Sequence, residues 1–116
     1  MKNQKILIVD DDDFCREAME RLLNNSGYKT QACSCGDEAI DLLKQEEFDI
    51  MITDLQMKGM DGLELIGKAK HIAPRLEFIL MTGTPYMNFF NRLEEIKLKG
   101  YFSKPLDWKK LSALLE

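Results

Sequence analysis

The stretch that decides the fold begins at Ile6 and reads ILIVDDDDFCRE, residues 6–17. Its first four residues form a continuous β-branched and aliphatic run, which is typical of a strand buried on both faces of a parallel sheet. Four aspartates follow, and apolar residues at helical spacing begin with Phe14. The helical pattern stops between Asn24 and Gly27, where a glycine occupies a common helix-ending position. This segment predicts a strand that leads directly into a helix.

The same alternation of strand and helix recurs along the chain. We expect further strands at 28–33, 50–53, 77–81 and 101–103, and helices at 37–44, 62–70, 84–99 and after residue 107. Thr84 and Asp107 are expected helix caps, and Pro85 suits a first helical position. Five strand–helix units with short connections imply an open parallel sheet with helices on both faces.

Composition limits the kinds of partner. The chain has 116 residues, 45% of them hydrophobic, which suits a single domain over residues 1–116. Its net charge of −4 disfavours direct contact with nucleic acid or anionic lipid, because both would repel it. A DNA target would therefore be reached through a partner.

Several features indicate the cytoplasm. The three cysteines, Cys15, Cys33 and Cys35, show neither a disulfide framework nor the spacing of a redox pair. The first apolar run is only four residues long, so neither a signal peptide nor a membrane span is predicted. The chain ends inside its last helical pattern, which hints at truncation, but the sequence does not decide between a full-length protein and the N-terminal part of a longer regulator.

Polar residues of chemical interest follow four of the predicted strands: Asp10 to Asp13, Asp54, Thr82 and Lys104. In open parallel sheets, ligands bind outside the carboxyl ends of the strands. We therefore expect these residues to form one site. Each residue type taken alone is a weak signal, since Thr82 could equally be a turn residue and Lys104 a solvated charge.

Four consecutive aspartates would repel one another unless a cation neutralised them. Mg²⁺ prefers carboxylate, carbonyl and water oxygens, so two or three carboxylates are enough to hold it. We assign Asp10 and Asp11 to this ion, and Asp12 and Asp13 to the helix N-terminus, where acidic residues are favourable. Asp54 ends the third apolar run and could attack phosphorus as a nucleophile, with the Lys104 ammonium offsetting the charge of the transferred group.

Four segments together resemble the receiver domains of bacterial response regulators. They are ILIVDDDDFCRE at residues 6–17, ITDLQMKGMDGLEL at 52–65, ILMTGT at 79–84 and GYFSKPL at 100–106. The resemblance spans the whole chain, and the conjunction of its motifs is specific. It implies an α/β fold, a flavodoxin-like doubly wound sheet of five parallel strands in the order 2-1-3-4-5, with helices on both faces.

The resemblance also implies the metal ligands and the phosphoacceptor. Asp10 and Asp11 match the family's metal-site acids, and Asp54 matches its phosphoacceptor, which shares the ion. Gln56 matches the residue whose backbone carbonyl binds Mg²⁺, with Mn²⁺ as the alternative ion. Lys58 departs from the pattern, because the family usually has proline there, and a more mobile or more cationic loop is expected.

Thr82 and Lys104 match the family's phosphoryl contacts, and Thr82 and Tyr101 match its switch positions. The implied function is a signalling switch that takes a phosphoryl group from a histidine kinase or a histidine phosphotransfer protein. The domain would catalyse its own modification and would change the surface of its fourth helix, fifth strand and last helix. A downstream effector or output domain would read that surface, and phosphorylation-dependent homodimerisation is left open. The side chains of Gln56 and Thr84 lie where members of the family vary the lifetime of the acyl phosphate, so the sequence does not give that lifetime.

Three other functions compete with this interpretation. Asp10 and Asp12 resemble the acidic pair of haloacid dehalogenase phosphatases, but only Asp107 and Glu116 remain as acids after Lys104, and Asp54 would have no role. A flavin phosphate would meet carboxylates after the first strand instead of hydrogen-bond donors. A receiver-like interaction module that is never phosphorylated would not need the complete set of site residues.

Overall fold

The computed structural model describes residues 3–83, 97–105 and 107–116. Within these residues the elements are β1 (Lys5–Val9), α1 (Asp13–Asn25), β2 (Lys29–Cys33), α2 (Gly36–Gln45), β3 (Ile50–Asp54), α3 (Gly62–Ile72), β4 (Glu77–Thr82), β5 (Gly100–Ser103) and α4 (Trp108–Leu115). None of the helices in this part of the chain combines the length and apolar character that a membrane crossing requires.

One predicted helix falls mainly outside the described residues. Its expected start at Thr84 and Pro85 lies there, as does its course through residue 96. Its expected end near Lys99 and Gly100 is wrong, because residues 97–99 are not helical and Gly100 begins β5. The backbone N–H of Lys99 donates to the carbonyl of Phe78 at 2.8 Å, so this residue is already bonded to β4.

The sheet confirms the expected order, β2-β1-β3-β4-β5, with all neighbouring strands parallel. Val9 at the end of β1 is in register with Thr53 of β3, and Asp54 is in register with Met81 of β4. Thr82 in turn pairs with Ser103 at the end of β5. This register brings the carboxyl ends of four strands to one edge of the sheet.

Helices cover both faces of the sheet, as the buried strand runs predicted. Alternate residues of β1 point to opposite sides, and each side packs into its own apolar cluster. Leu7 and Val9 pack with residues of α2 and α3, whereas Ile6 and Ile8 pack with residues of α1 and α4. The central strand β3 is buried along its whole length. Its last residue, Asp54, is the only one of the five with measurable exposure, 6%.

The ends of the helices fix the loops around that edge. Asp12 caps α1 and Asp107 caps α4, as predicted, each accepting a hydrogen bond from a backbone N–H of the first turn. Gly27 follows α1 with φ 95°, a conformation that glycine adopts without strain. Asp61, which the sequence analysis did not identify as a cap, accepts from the N–H of Glu64 at 2.8 Å and begins α3.

Candidate functional site

The predicted site residues lie together at the carboxyl edge of the sheet. Asp10 directly follows β1, Asp54 ends β3, Thr82 ends β4, and Lys104 directly follows β5. The backbone N–H of Lys104 donates to the carbonyl of Thr82 at 2.8 Å, which continues the β4–β5 pairing by one residue. Strand register therefore places these four residues at one edge, although they are far apart in the sequence.

Three acids form a cluster at this edge. Asp10, Asp11 and Asp54 each offer a carboxylate oxygen, and these oxygens lie within 4.8 Å of one another. Asp10 is fully buried and Asp54 is 6% exposed, while Asp11 is exposed on the loop between β1 and α1. Carboxylates this close repel one another, so the cluster is suited to a cation.

Lys104 is the positive charge inside the cluster. Its Nζ lies 3.0 Å from Oδ2 of Asp54 and 3.0 Å from Oδ2 of Asp10. The first contact is a hydrogen bond, whereas the second is an ion pair in which the buried oxygen of Asp10 accepts no hydrogen bond from the described residues. One ammonium is thus shared by two carboxylates.

The pKa values of this ion pair follow from burial and from that sharing. Burial raises the pKa of Asp54 above its ordinary value, and the contact with Lys104 offsets only part of this increase. Burial alone would lower the pKa of Lys104, but its contacts with Asp54 and Asp10 outweigh it and raise that pKa. Two carboxylates stabilise the charged form of Lys104, whereas one ammonium stabilises the charged form of Asp54. The raised pKa of Asp54 thus reflects the hydration that its carboxylate loses on burial.

The loop between β1 and α1 is fixed by local hydrogen bonds. The N–H of Asp12 donates to Oδ1 of Asp10 at 2.9 Å, and the guanidinium of Arg16 donates to the Asp10 carbonyl at 2.9 Å. The Asp12 carboxylate accepts from the N–H groups of Phe14 and Cys15. The bond from Cys15 is the main cause that lowers the pKa of Asp12. Asp12 thus serves the helix, and Asp13 lies in its first turn, as predicted.

The loop between β3 and α3 closes the other side of the cluster. The N–H of Gln56 donates to Oδ1 of Asp54 at 3.4 Å, and the N–H of Lys58 donates to Oδ2 of Asp11 at 3.1 Å. Gly62 brings α3 against the strand end, since a Cβ there would lie 2.3 Å from the Asp54 carbonyl oxygen. The two loops meet across the acid cluster.

Two further predicted residues flank the cluster. Thr82 is 1% exposed at the end of β4, and a Cβ placed on the following Gly83 would meet open space, which leaves room for a small group beside the site. Tyr101 lies on β5, three positions before Lys104, and is 39% exposed. Its role as a switch stays a prediction.

The donor set fits a small divalent cation. Octahedral Mg²⁺ with ligands about 2.1 Å away has ligand oxygens about 3 to 4 Å apart. The carboxylate oxygens of the three acids all lie within 4.8 Å of one another, so modest side-chain adjustments would bring them to one ion. Three carboxylates and one ammonium carry a net charge of −2, which one such ion would balance. Among the described residues, the buried Oδ2 of Asp10 accepts no hydrogen bond and has only the ammonium of Lys104 as a charged partner, so it could also contact an ion. These oxygens suit Mg²⁺ or Mn²⁺ better than a soft metal.

The geometry disfavours the dehalogenase-like alternative. That interpretation requires Asp12 to act as the second acid beside Asp10, but the Asp12 carboxylate is engaged by two N–H groups of α1. Asp107, one of the two acids after Lys104, caps α4 by accepting from the N–H of Lys110 at 3.2 Å. Neither residue is oriented as the alternative needs.

Sequence reasoning missed two residues that shape the site. Arg16 was not identified, although its spacing of three residues from Asp13 on a helix is a signal for an ion pair. Lys58 was identified only as a departure from the family pattern, and its backbone bond to Asp11 joins residues 47 positions apart, which no local pattern indicates.

Comparisons with known proteins agree with this geometry. Residues 6–116 match the family described as the response regulator receiver domain. The chain is 33% identical over 107 residues to sporulation initiation phosphotransferase F of Bacillus subtilis, covering 92% of this chain and 86% of that protein. It is 32% identical to the DNA-binding transcriptional regulator NtrC of Klebsiella pneumoniae, covering 94% of this chain but only 23% of that protein.

Solved structures show the same fold. A receiver domain protein described as CheY-like from Methanospirillum hungatei superposes with a TM-score of 0.91 at 25% identity, covering 97% of this chain and 90% of that one. The signal receiver domain of an HD domain-containing protein from Pseudomonas fluorescens gives 0.91 at 27% identity, covering 97% and 91%. The family match spans nearly the whole sequence, so the chain belongs to the response regulator receiver domain family.

Proposed function

We propose that this chain is a phosphorylation-dependent switch whose phosphoacceptor is Asp54. One observation carries the assignment: the Asp54 carboxylate is almost buried at the strand edge, with an ammonium 3.0 Å away and two further acids beside it. A carboxylate that has lost hydration is a better nucleophile, and the neighbouring cation offsets the charge that gathers during transfer.

In the proposed reaction, an Asp54 oxygen forms a bond to phosphorus while the phosphorus–nitrogen bond of a donor phosphohistidine breaks. The imidazole leaves, and Asp54 becomes an acyl phosphate. Mg²⁺, held by Asp10, Asp11, Asp54 and the Gln56 carbonyl, would supply positive charge to the acceptor and phosphoryl oxygens. Lys104 would keep its ammonium on the new dianion, and Thr82 would offer its hydroxyl.

The proposed switch lies in the residues that follow. Drawing Thr82 and Lys104 toward the phosphoryl group would shift the β4 and β5 ends, and Tyr101 on β5 would turn inward. A partner that reads this surface would then bind one state more tightly than the other. We further propose a histidine kinase or histidine phosphotransfer protein as donor, an effector or output domain as reader, a single domain over residues 1–116, and a cytoplasmic location.

The assignment is tested by labelling with acetyl phosphate in the presence of Mg²⁺. The carboxylate of Asp54 would displace acetate from phosphorus, so intact mass should increase by one phosphoryl group. Asp54→Asn should abolish the increase, because the amide is a poor nucleophile. Asp12→Ala is the matched control, since it removes a neighbouring acid whose carboxylate caps α1 and lies outside the acid cluster.

The assignment is supported if Asp12→Ala is labelled at the wild-type level and Asp54→Asn is not labelled. Labelling that persists in Asp54→Asn refutes it and directs attention to Asp10 or Asp11. A wild-type protein that takes no label under conditions where it binds Mg²⁺ would favour the interaction module that is never phosphorylated.

A further inference from the structure

The backbone N–H of Lys58 makes a long-range contact with the acid cluster. It donates to Oδ2 of Asp11 at 3.1 Å and joins the loop after β3 to the loop after β1. Both residues are exposed, and Lys58 lies outside any helix or strand. The contact therefore belongs to no ladder or helix and depends on the meeting of the two loops.

Each acid of the cluster accepts from one backbone N–H. Asp10 accepts from Asp12, Asp54 from Gln56, and Asp11 from Lys58. Asp10 and Asp54 are also buried and contact the Lys104 ammonium, so their positions are fixed in more than one way. Asp11 has neither advantage. Without its N–H donor, an exposed aspartate would sample several rotamers and would face the cluster for only part of the time.

We infer that the backbone N–H of Lys58 is a positioning donor for the cation site. It holds the exposed Asp11 carboxylate toward Asp10 and Asp54 and docks the loop that carries Gln56 onto the cluster. This inference rests on the proposed function, because it concerns how that same site is organised before the ion arrives. The main chain of Lys58 positions Asp11, and the side-chain ammonium has no part in this positioning.

The residue type at this position decides whether the donor exists. Proline has no backbone N–H, so the residue that the family usually carries here could not make this bond. Lysine, alanine and every other residue retain it. The inference therefore predicts a specific ranking of variants, in which loss of the N–H matters and loss of the lysine charge does not.

The first experiment compares Mg²⁺ binding by isothermal titration calorimetry. Lys58→Pro removes the donor, whereas Lys58→Ala removes the side chain and keeps the donor, which makes it the matched control. We expect Lys58→Pro to bind Mg²⁺ about fivefold to tenfold more weakly than wild type, which is the size of effect that one exposed hydrogen bond of ordinary net strength gives. Lys58→Ala should stay within about twofold, since an exposed ammonium contributes little. Equal weakening in both variants would overturn the inference.

A second experiment needs no metal and keeps the inference testable if Lys58→Pro disturbs the loop. Amide hydrogen exchange of Lys58 is measured by NMR in metal-free wild type and in Asp11→Ala. The Gly59 amide is the internal control, because it lies next in the chain and makes no hydrogen bond in the described part of the structure. Loss of the bond should accelerate Lys58 exchange about fivefold relative to Gly59.

An unchanged ratio of the two exchange rates would show that the bond is absent and would overturn the inference. The proposed function fails on a different result, namely phosphoryl labelling that survives Asp54→Asn. The two can therefore be judged separately, even in a protein that binds Mg²⁺ weakly.

Discussion

Replacing Lys104 with methionine tests the electrostatics of the site. The substitution keeps most of the apolar stem and removes the ammonium that lies 3.0 Å from both Asp10 and Asp54. The Lys104 side chain is 19% exposed and the two carboxylates are almost fully buried. The variant therefore leaves two buried negative charges side by side without their cation.

The expected cost follows from these distances. At an effective dielectric constant of about 20, each 3.0 Å contact has a Coulomb energy of about 5.5 kcal/mol. Desolvation of the ammonium offsets several kcal/mol of this attraction, and removal of one partner from a buried pair typically costs about 3–5 kcal/mol. We expect Lys104→Met to lower the free energy of unfolding by about 3 kcal/mol near pH 7 without Mg²⁺. Domains of this size are stable by about 5–15 kcal/mol, so the variant should still fold.

The cost should depend on pH and on Mg²⁺. The pKa of Lys104 is raised in the fold, so its stabilising contribution is fully present below 10.5 and is lost as the pH rises through the folded value. Near neutrality the ammonium is therefore intact in wild type. In the variant, burial raises the pKa of Asp54 without opposition, so protonation in acid should relieve the repulsion. The deficit should shrink toward about pH 4, and Mg²⁺ should also narrow it, because the ion replaces the missing charge.

The assay is urea denaturation followed by far-UV circular dichroism, at about pH 7 and about pH 4, with EDTA or with Mg²⁺. Lys68→Met is the control, because Lys68 is an exposed residue of α3, and this variant should stay within about 0.5 kcal/mol of wild type. A Lys104→Met deficit below about 1 kcal/mol, or one that is the same at both pH values and with Mg²⁺, would refute the reasoning.

Two further predictions concern packing and thiol chemistry. Gly62→Ala should destabilise the fold by about 1–3 kcal/mol, because the new Cβ would lie 2.3 Å from the Asp54 carbonyl oxygen. Gly67→Ala, on the same helix with open space at its Cβ, should stabilise it by about 0.5–1 kcal/mol, and urea denaturation of the pair checks both signs. Burial raises the pKa of Cys33 from 9.0 to about 12. The contribution of the neutral, buried thiol to the free energy of unfolding is therefore fully present below pH 9.0 and is lost as the pH rises through about 12. Iodoacetamide followed by peptide mass spectrometry near pH 8 should therefore label Cys33 only after Cys35, and faster labelling of Cys33 would contradict this.

Much of the fold could be predicted from hydrophobic runs and helix-ending residues. The run from Ile6 to Val9 indicates a strand covered on both faces, and its residues do divide between two apolar clusters. The strand order followed from the family resemblance and agrees with the structure. Most element boundaries differed by one or two residues, but the helix expected to run to residue 99 does not include residues 97–99. Propensity does not show where a backbone bond such as that of Lys99 to Phe78 begins the next strand.

The sequence allowed us to group the candidate site residues at the strand ends. It did not indicate the contacts that hold these residues in place. Asp10, Asp54 and Lys104 could be grouped because parallel strands end at one edge of a sheet. The sharing of one ammonium between two carboxylates depends on side-chain rotamers, which the sequence does not specify. The Lys58 bond depends on two loops meeting across 47 positions, and a backbone donor leaves no signature in residue type.

The most direct test of the central proposal is the intact mass of the wild-type protein after incubation with acetyl phosphate, with Mg²⁺ in one sample and EDTA in the other. If the acid cluster holds an ion beside a reactive Asp54 carboxylate, the first sample gains one phosphoryl group and the second gains none. Equal labelling in both samples, or no labelling in a sample shown to bind Mg²⁺, would contradict the proposal.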